Sequence, residues 1–512
     1  MKSKSEYKAE AGRRCGVLLH ISSLPSPYGI GTMGRQAYQF IDFLKESGMA
    51  YWQLLPVCPT SYGDSPYQSC CVYAGNPYFI DIDLLCDMGL LNYKDCPDME
   101  ADSKSVDYGK LYKERNKLLK KAADNFISKF INRKAEFKIQ KSYKRFCKDN
   151  SFWLDSYALF MALKDCNQGR SWYDWEEDYR AFESESVSKF ALSNIETIEF
   201  HKVIQYLFFR QWYELKDYAQ SKNISIIGDL PIYVSLDSVD VWQEPKLFQL
   251  AENMLPKEVS GCPPDNFSKE GQLWGNPLYD WEAMEQDNFS WWIRRIEYLC
   301  TMYDVLRIDH FRGFESYYAI PYKSGDALRG RWKKGPGMKL FNALYEHSGP
   351  KSIIAEDLGF LTEEVKQLLQ ESGFPGMKII EMAFDRRDSS AEEYLPHNFV
   401  RNCVAYTGTH DNDTLCGWFA SALEEDIDYA RAYLRIKEDT EIHWDIIAAL
   451  LATVADTCII QAQDFLGLGS EARMNTPSTV GINWKWRAGR KAFNKELAQR
   501  IRKLLILYKR LN

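Results

Sequence analysis

The stretch DVLRIDHFRGF, residues 304–314, holds the key to the fold of this chain. Val305, Leu306 and Ile308 form a short apolar run that is broken by Arg307 and closed by Asp309 and His310. A nearly continuous apolar run of this length suits a strand buried on both faces, as in parallel sheets. Seven further runs share the form: 15–20, 51–57, 225–234, 352–358, 376–382, 404–410 and 458–465. Helix-like segments lie between several of them, at 36–47, 362–372 and 421–435. Eight such strands alternating with helices predict a (β/α)8 TIM-type barrel. A doubly wound open sheet is the alternative.

A plain barrel needs about 250 residues, and this chain has 512. The expectation is one barrel over 1–512 with inserted, mainly helical subdomains and no separate C-terminal β-sandwich. The largest gap, about 78–223, reads as a helical insertion between strands two and three. A second insertion, about 235–303, contains the Gly-, Pro- and Asn-rich loop 260–277. No internal repeat or low-complexity linker is visible.

Composition narrows the function classes. The net charge of −7 argues against a nucleic-acid binder. The basic stretch 110–148 reads as a solvated helical face beside the acidic segment 172–199. No apolar run approaches the ~18 residues of a membrane span, and the polar start, 1–14, carries no signal-like run. The 13 cysteines include no C-x-x-C pair. They are expected to be free thiols in a reducing cytoplasm, and Cys70 and Cys71 to be two buried ones. The aromatic content of 14% is high, and Trp and Tyr often line sites for amphipathic ligands.

The polar groups cluster where the strands end. Asp229 closes the third run, Arg307, Asp309 and His310 the fourth, Glu356 and Asp357 the fifth, and His410 and Asp411 the seventh. His20 ends the first, so three of only seven histidines sit at predicted strand ends. Barrel enzymes build their sites at that rim. A carboxylate inside an apolar run is costly unless paired, so three on one rim point to chemistry. Two carboxyls facing one bond suit glycoside cleavage, one as nucleophile and one as acid and then base. Arg307 should hold Asp309 low, which suits a nucleophile, while Glu356 among other acids should be raised. Asp411 is a third carboxylate that could hold sugar hydroxyls. From the residues alone, the roles of Asp309 and Glu356 could also be exchanged. Metal chemistry is poorly supported, since no H-x-H, H-E-x-x-H or Cys/His quartet occurs. A G-x-S-x-G elbow is absent too.

Eight ordered segments then resemble one family: HISSLPSPYGIGTMG (20–34), WQLLPVCPTSYGDSPYQ (52–68), AGNPYF (74–79), IIGDLPIYV (226–234), GCPPDNFSKEGQLWGNP (261–277), LRIDHFRGF (306–314), IIAEDLG (353–359) and YTGTHDNDT (406–414). Through nearly the whole chain the sequence resembles the 4-α-glucanotransferases of glycoside hydrolase family 77, in the α-amylase superfamily. The resemblance implies a retaining transferase that passes an α-1,4-glucan segment to the 4-OH of glucose, maltose or another glucan. It implies Asp309 as nucleophile, Glu356 as acid/base and Asp411 as transition-state stabiliser, with Arg307 and His410 contacting the nucleophile or the donor-site sugar and Asp229, in the superfamily's first motif, among the substrate-binding residues. It implies no calcium or organic cofactor at the catalytic centre. The loop 261–277 resembles the family's flexible acceptor loop, with Asp265, Phe267, Gln272 and Trp274 as contacts; Asn266 stands where many members have Tyr. Asp64, Ser65 and Tyr67 are expected near the donor sugars, with Asn475, Pro477, Asn483 and Trp484 at the barrel mouth. His20 is expected to lie under the site. The family's starch-binding N-terminal extension is not expected. The anticipated partners are malto-oligosaccharides and glucans, without nucleic acid or membrane, and the protein is expected to be a monomer or weak homo-oligomer.

Overall fold

The computed structural model describes residues 12–96, 104–132, 137–264, 270–359, 361–388, 390–436, 438 and 440–512. Eight parallel strands form one sheet: β1 (Arg14–Leu18), β2 (Tyr51–Gln53), β3 (Ser225–Leu230), β4 (Val305–Ile308), β5 (Ile353–Ala355), β6 (Gly376–Ile379), β7 (Cys403–Tyr406) and β8 (Thr457–Gln461). Their spatial order is β6-β7-β8-β1-β2-β3-β4-β5. The seam closes where the Ala355 N–H donates to Pro375 O at 3.0 Å. This is the predicted (β/α)8 barrel. Each strand is shorter than its apolar run because the polar residues at its end leave the ladder and form the rim. The Tyr406 hydroxyl donates to Gln53 Oε1 at 2.9 Å with both side chains buried, a bond between β7 and β2 that spans the interior.

The outer helices bury apolar faces at helical spacing. In Arg35–Ser47, Ala37, Phe40, Ile41 and Leu44 are buried. The helix stops at Gly48, whose φ of 77° few other residues tolerate. It packs against the helix Lys495–Leu507.

Between β2 and β3 run the helices Tyr108–Phe126, Phe137–Asp149, Ser151–Cys166, Glu185–Ser193 and Ile195–Ser221. The last leads directly into β3. Its Gln205 amide pairs with both Gly75 N–H and Gly75 O, and Gln211 pairs likewise with the Asp81 backbone. Buried Arg115 donates to Tyr78 O and Ile80 O at 2.9 and 2.7 Å. These contacts satisfy buried backbone groups and join the helices to segment 75–81.

A second, antiparallel sheet sits beside the barrel, in the order Gln272–Pro277, Glu258–Cys262, Ser316–Pro321, Arg331–Lys334. Two of its strands come from the β3–β4 connection and two from the β4–β5 connection. Sequence reading places only the first of these connections among the insertions.

Candidate active site

The site grows from the end of β4. The Asp309 N–H donates to Leu230 O, continuing the pairing with β3, and His310 then takes a left-handed conformation (φ 48°, ψ 49°) that turns the chain away. The adjacent rim is held to it, since Glu356 N–H donates to Ile308 O and Phe311 N–H to Glu356 O, both at 2.9 Å. On β7's side, Asn412 Oδ1 accepts from Thr409 N–H and Thr409 Oγ1 at 2.9 and 3.0 Å. That turn presents His410 and Asp411.

Arg307 is the hub. Its Nη1 donates to Asp229 Oδ1 and Oδ2 at 2.7 and 2.8 Å and to Asp309 Oδ1 at 3.0 Å. Its Nη2 lies 4.0 Å from Glu356 Oε2. Side-chain exposure rises outward, from 1% for Asp229 and 4% for Arg307 to 10% for Glu356, 25% for Asp309 and 42% for Asp411. The Glu356 carboxylate also accepts His310 N–H at 2.6 Å and Leu358 N–H at 2.9 Å.

Burial pushes the Glu356 carboxyl up, as expected. Asp309 is also pushed up, which corrects the expectation that Arg307 would hold it low. Burial is the larger influence, and Asp229, Glu356 and Asp411 act with it. Arg307 cannot compensate fully because Asp229 already takes two of its hydrogen bonds.

Tyr67 donates to Asp229 Oδ2 at 2.7 Å and stacks on His410, with ring centroids 4.8 Å apart. Trp484 leans on both rings. Burial lowers the His410 pKa, opposed by Asp411, so the imidazole is kept towards its neutral form. Asn475 Nδ2 donates to Asp411 Oδ1 at 2.6 Å, and Arg473 donates to Asp411 O, fixing this carboxylate from the C-terminal segment.

These groups line a cleft of about 1470 Å³. Ser65, Tyr67, Gln272, Trp274, Arg307, Asp309, Glu356, His410, Asp411, Asn475, Pro477, Asn483 and Trp484 reach it. Trp274 meets the His310 ring edge-on at 4.8 Å. Two expected substrate contacts do not line it. Asp229 lies beneath the wall, occupied by Arg307 and Tyr67, and Asp64 sits in a turn with φ 58°. Asn483 reaches the cleft, but its amide is used on Thr476 N–H and Thr479 O, bracing its own loop. Asp265 and Phe267, with Asn266, lie outside the described residues. His20 is below the site in a small cavity shared with His410. Cys70 and Cys71 are buried and free. Among the described residues no three His, Cys, Asp or Glu side chains are grouped to hold a metal, and no helix is long and apolar enough to cross a membrane.

Sequence reading passed over Gln68, Tyr233, Arg312, Trp332, Glu381, Asp385, Tyr394 and Trp418, all on the cleft wall. Glu381 could have been found, because it ends the sixth apolar run as Asp309 ends the fourth. Its Oε1 accepts from Asn412 Nδ2 at 3.2 Å, while its Oε2 is buried without a partner. Burial raises this carboxyl from 4.5 to about 8. Between those pH values the unfolded chain releases a proton that the fold keeps, so stability falls as pH rises. Glu381→Gln should therefore stabilise the protein at pH 8, by on the order of 2 kcal/mol, and hardly at pH 4.5. Unfolding curves of both proteins at the two pH values test this, and an equal difference at both would refute it.

Comparison with known proteins gives one family throughout. The family described as 4-alpha-glucanotransferase (glycoside hydrolase 77) matches residues 19–491. A 4-alpha-glucanotransferase from Clostridium butyricum is 49% identical over 496 residues, covering 96% of this chain and 100% of the relative. One from Streptococcus pneumoniae is 44% identical, covering 98% of each. The solved amylomaltase of Streptococcus agalactiae, in complex with acarbose, superposes with a TM-score of 0.93 at 40% identity, covering 98% of this chain and 100% of that one.

Proposed function

Because this chain belongs to the 4-α-glucanotransferase family, glycoside hydrolase 77, we propose a division of labour among its rim carboxyls. The enzyme transfers α-1,4-glucan segments; the residue roles are our reading. The observation that carries it is the single Arg307 guanidinium lying within 4.0 Å of both Asp309 and Glu356. One cation thus gathers both carboxyls at the same point of the rim, where two carboxyls can act on one glycosidic bond.

The two carboxyls compete for one proton. Asp309 holds the direct bond to Arg307, whereas Glu356 stands off. Burial pushes both carboxyls up; our reading gives the shared proton to Glu356 and the negative charge to Asp309, the member bonded directly to Arg307. Asp309 attacks C1 of a donor glucose while the C1–O bond breaks and Glu356 gives its proton to the departing O4. The glucan is then an ester on Asp309. An acceptor 4-OH loses its proton to the Glu356 carboxylate and attacks C1, and Asp309 leaves with its electron pair.

Asp411, held by Asn475, binds donor-sugar hydroxyls and steadies the distorted ring. Tyr67, stacked on His410, and Ser65 border the donor side. Trp274 borders the acceptor side, where covering the ester keeps water from replacing the sugar. Glucose, maltose or a longer glucan serves as acceptor, in maltose, glycogen or starch turnover. The thirteen free thiols suit a reducing compartment, the cytoplasm.

Maltotriose alone, without phosphate or added metal, tests the reading. Glucose plus a ladder of longer oligomers is expected, with total reducing ends constant. Glucose and maltose without longer products would mean that water takes the ester, and the transfer reading would fail.

A further inference from the structure

Trp332 lies on the strand Arg331–Lys334, the outermost of the antiparallel sheet, yet it lines the same cleft as the carboxyls. It is 39% exposed, and it is the one tryptophan among the exposed large apolar side chains of the described residues. Its orientation is fixed from behind. The buried Arg312 guanidinium lies 3.7 Å from the ring centroid, and Tyr318 meets the ring at 5.2 Å in an edge-on contact. Arg312 is itself held, donating from Nη2 to Ser316 Oγ at 3.1 Å. Stacking and edge contacts of this kind restrict a side chain to one geometry, so an exposed ring arrives flat and preorganised.

Its position along the cleft follows from the chain. Arg312 is three residues past Asp309 and beyond His310, whose backbone N–H binds Glu356. Glu356 is the group that meets the departing oxygen, so this flank of the cleft receives the leaving and incoming glucan. Trp274 lies against His310 on this flank. Trp332, over the Arg312 guanidinium, lines the cleft as well, as do Cys262, Pro264 and Tyr322. A pyranose presents an apolar face of C–H groups that a flat aromatic ring can cover, while its hydroxyls stay in water.

We propose that Trp332, braced by Arg312, is a stacking platform for a distal glucose unit on the acceptor side, and that it sets preference for long over short glucans. The inference rests on the transfer reading above. The platform touches no reacting atom, so it acts on binding rather than on the chemical step.

The test compares wild type, Trp332→Ala and Trp332→Phe on maltotriose and on maltoheptaose. For maltoheptaose, Trp332→Ala should raise KM about tenfold with kcat little altered, and Trp332→Phe should restore most of the affinity. Maltotriose, which on this proposal ends short of the platform, should give the same constants for all three. Unchanged KM for maltoheptaose would overturn the platform. So would an equal loss on both substrates, which would indicate a general structural role. Thermal unfolding of each variant separates misfolding from lost contact, and Trp332→Phe keeps the question open if Trp332→Ala fails to fold. A wild-type enzyme that only hydrolyses would overturn the transfer reading and the acceptor-side inference with it, a result distinct from either variant outcome.

Discussion

Asp309→Asn is expected to transfer glucan at least about 10⁴-fold more slowly than the native enzyme, because no second nucleophile is in place to form the ester. The substitution keeps the size of the side chain and its oxygen towards Arg307, so folding should survive. Glu356→Gln should also be strongly impaired on ordinary glucans, which need a proton on the departing O4. The two defects differ in kind. A donor carrying a leaving group that departs without protonation, such as a maltosyl fluoride, should bring back formation of the ester in Glu356→Gln. It should bring back nothing in Asp309→Asn. Single-turnover measurement of fluoride release reads this step directly. Rescue of Asp309→Asn with Glu356→Gln left inactive would exchange the two roles, the alternative that the residues alone leave open.

The second large effect belongs to Arg307. Arg307→Met removes the only cation bonded to buried Asp229 and the only one bonded to Asp309 among the described contacts. Breaking a buried ion pair by deleting one partner costs about 3–5 kcal/mol, since the remaining charges stay unpaired. Loss of activity should accompany the loss of stability, because Asp309 would keep a proton. The sign of the pH dependence is fixed. Without the guanidinium the folded-state carboxyls hold protons more tightly than the unfolded ones, so the deficit is larger at pH 8 and shrinks as pH falls towards 5. Denaturant unfolding at both pH values would show this. A deficit that does not change with pH would mean that Arg307 acts through packing alone.

Much of this architecture was legible in the sequence. All eight strands fall on their apolar runs, three of them starting one residue early, since burial on both faces leaves a signal that does not depend on distant partners. The rim carboxyls Asp309, Glu356 and Asp411 were legible because an acid at the end of such a run has little other reason to be there. What sequence could not convey was how one charge is divided. The spacing of Arg307 and Asp309 suggests a private pair, but Asp229, 78 residues away, claims the same nitrogen. Asp229 therefore reads as a possible sugar contact and turns out to be a buried support. Asn412 and Arg473 were hidden for a similar reason, as their effect depends on where turns bring them. Trp332 lies in a segment with no apolar periodicity, and only the fold sets it beside the cleft.

The antiparallel sheet has a consequence for how such a protein can diversify. Its strands enter the chain on both sides of β4, two before and two after. A recombination event that replaces this sheet must carry the segment from 258 to 334 and with it Arg307 and Asp309. The cleft aromatics Trp274 and Trp332 and the central carboxyl are thus inherited as one block. Exchange of this sheet as a whole therefore moves Arg307 and Asp309 with it, whereas substitution one residue at a time, on surfaces such as the ring of Trp332, leaves them in place.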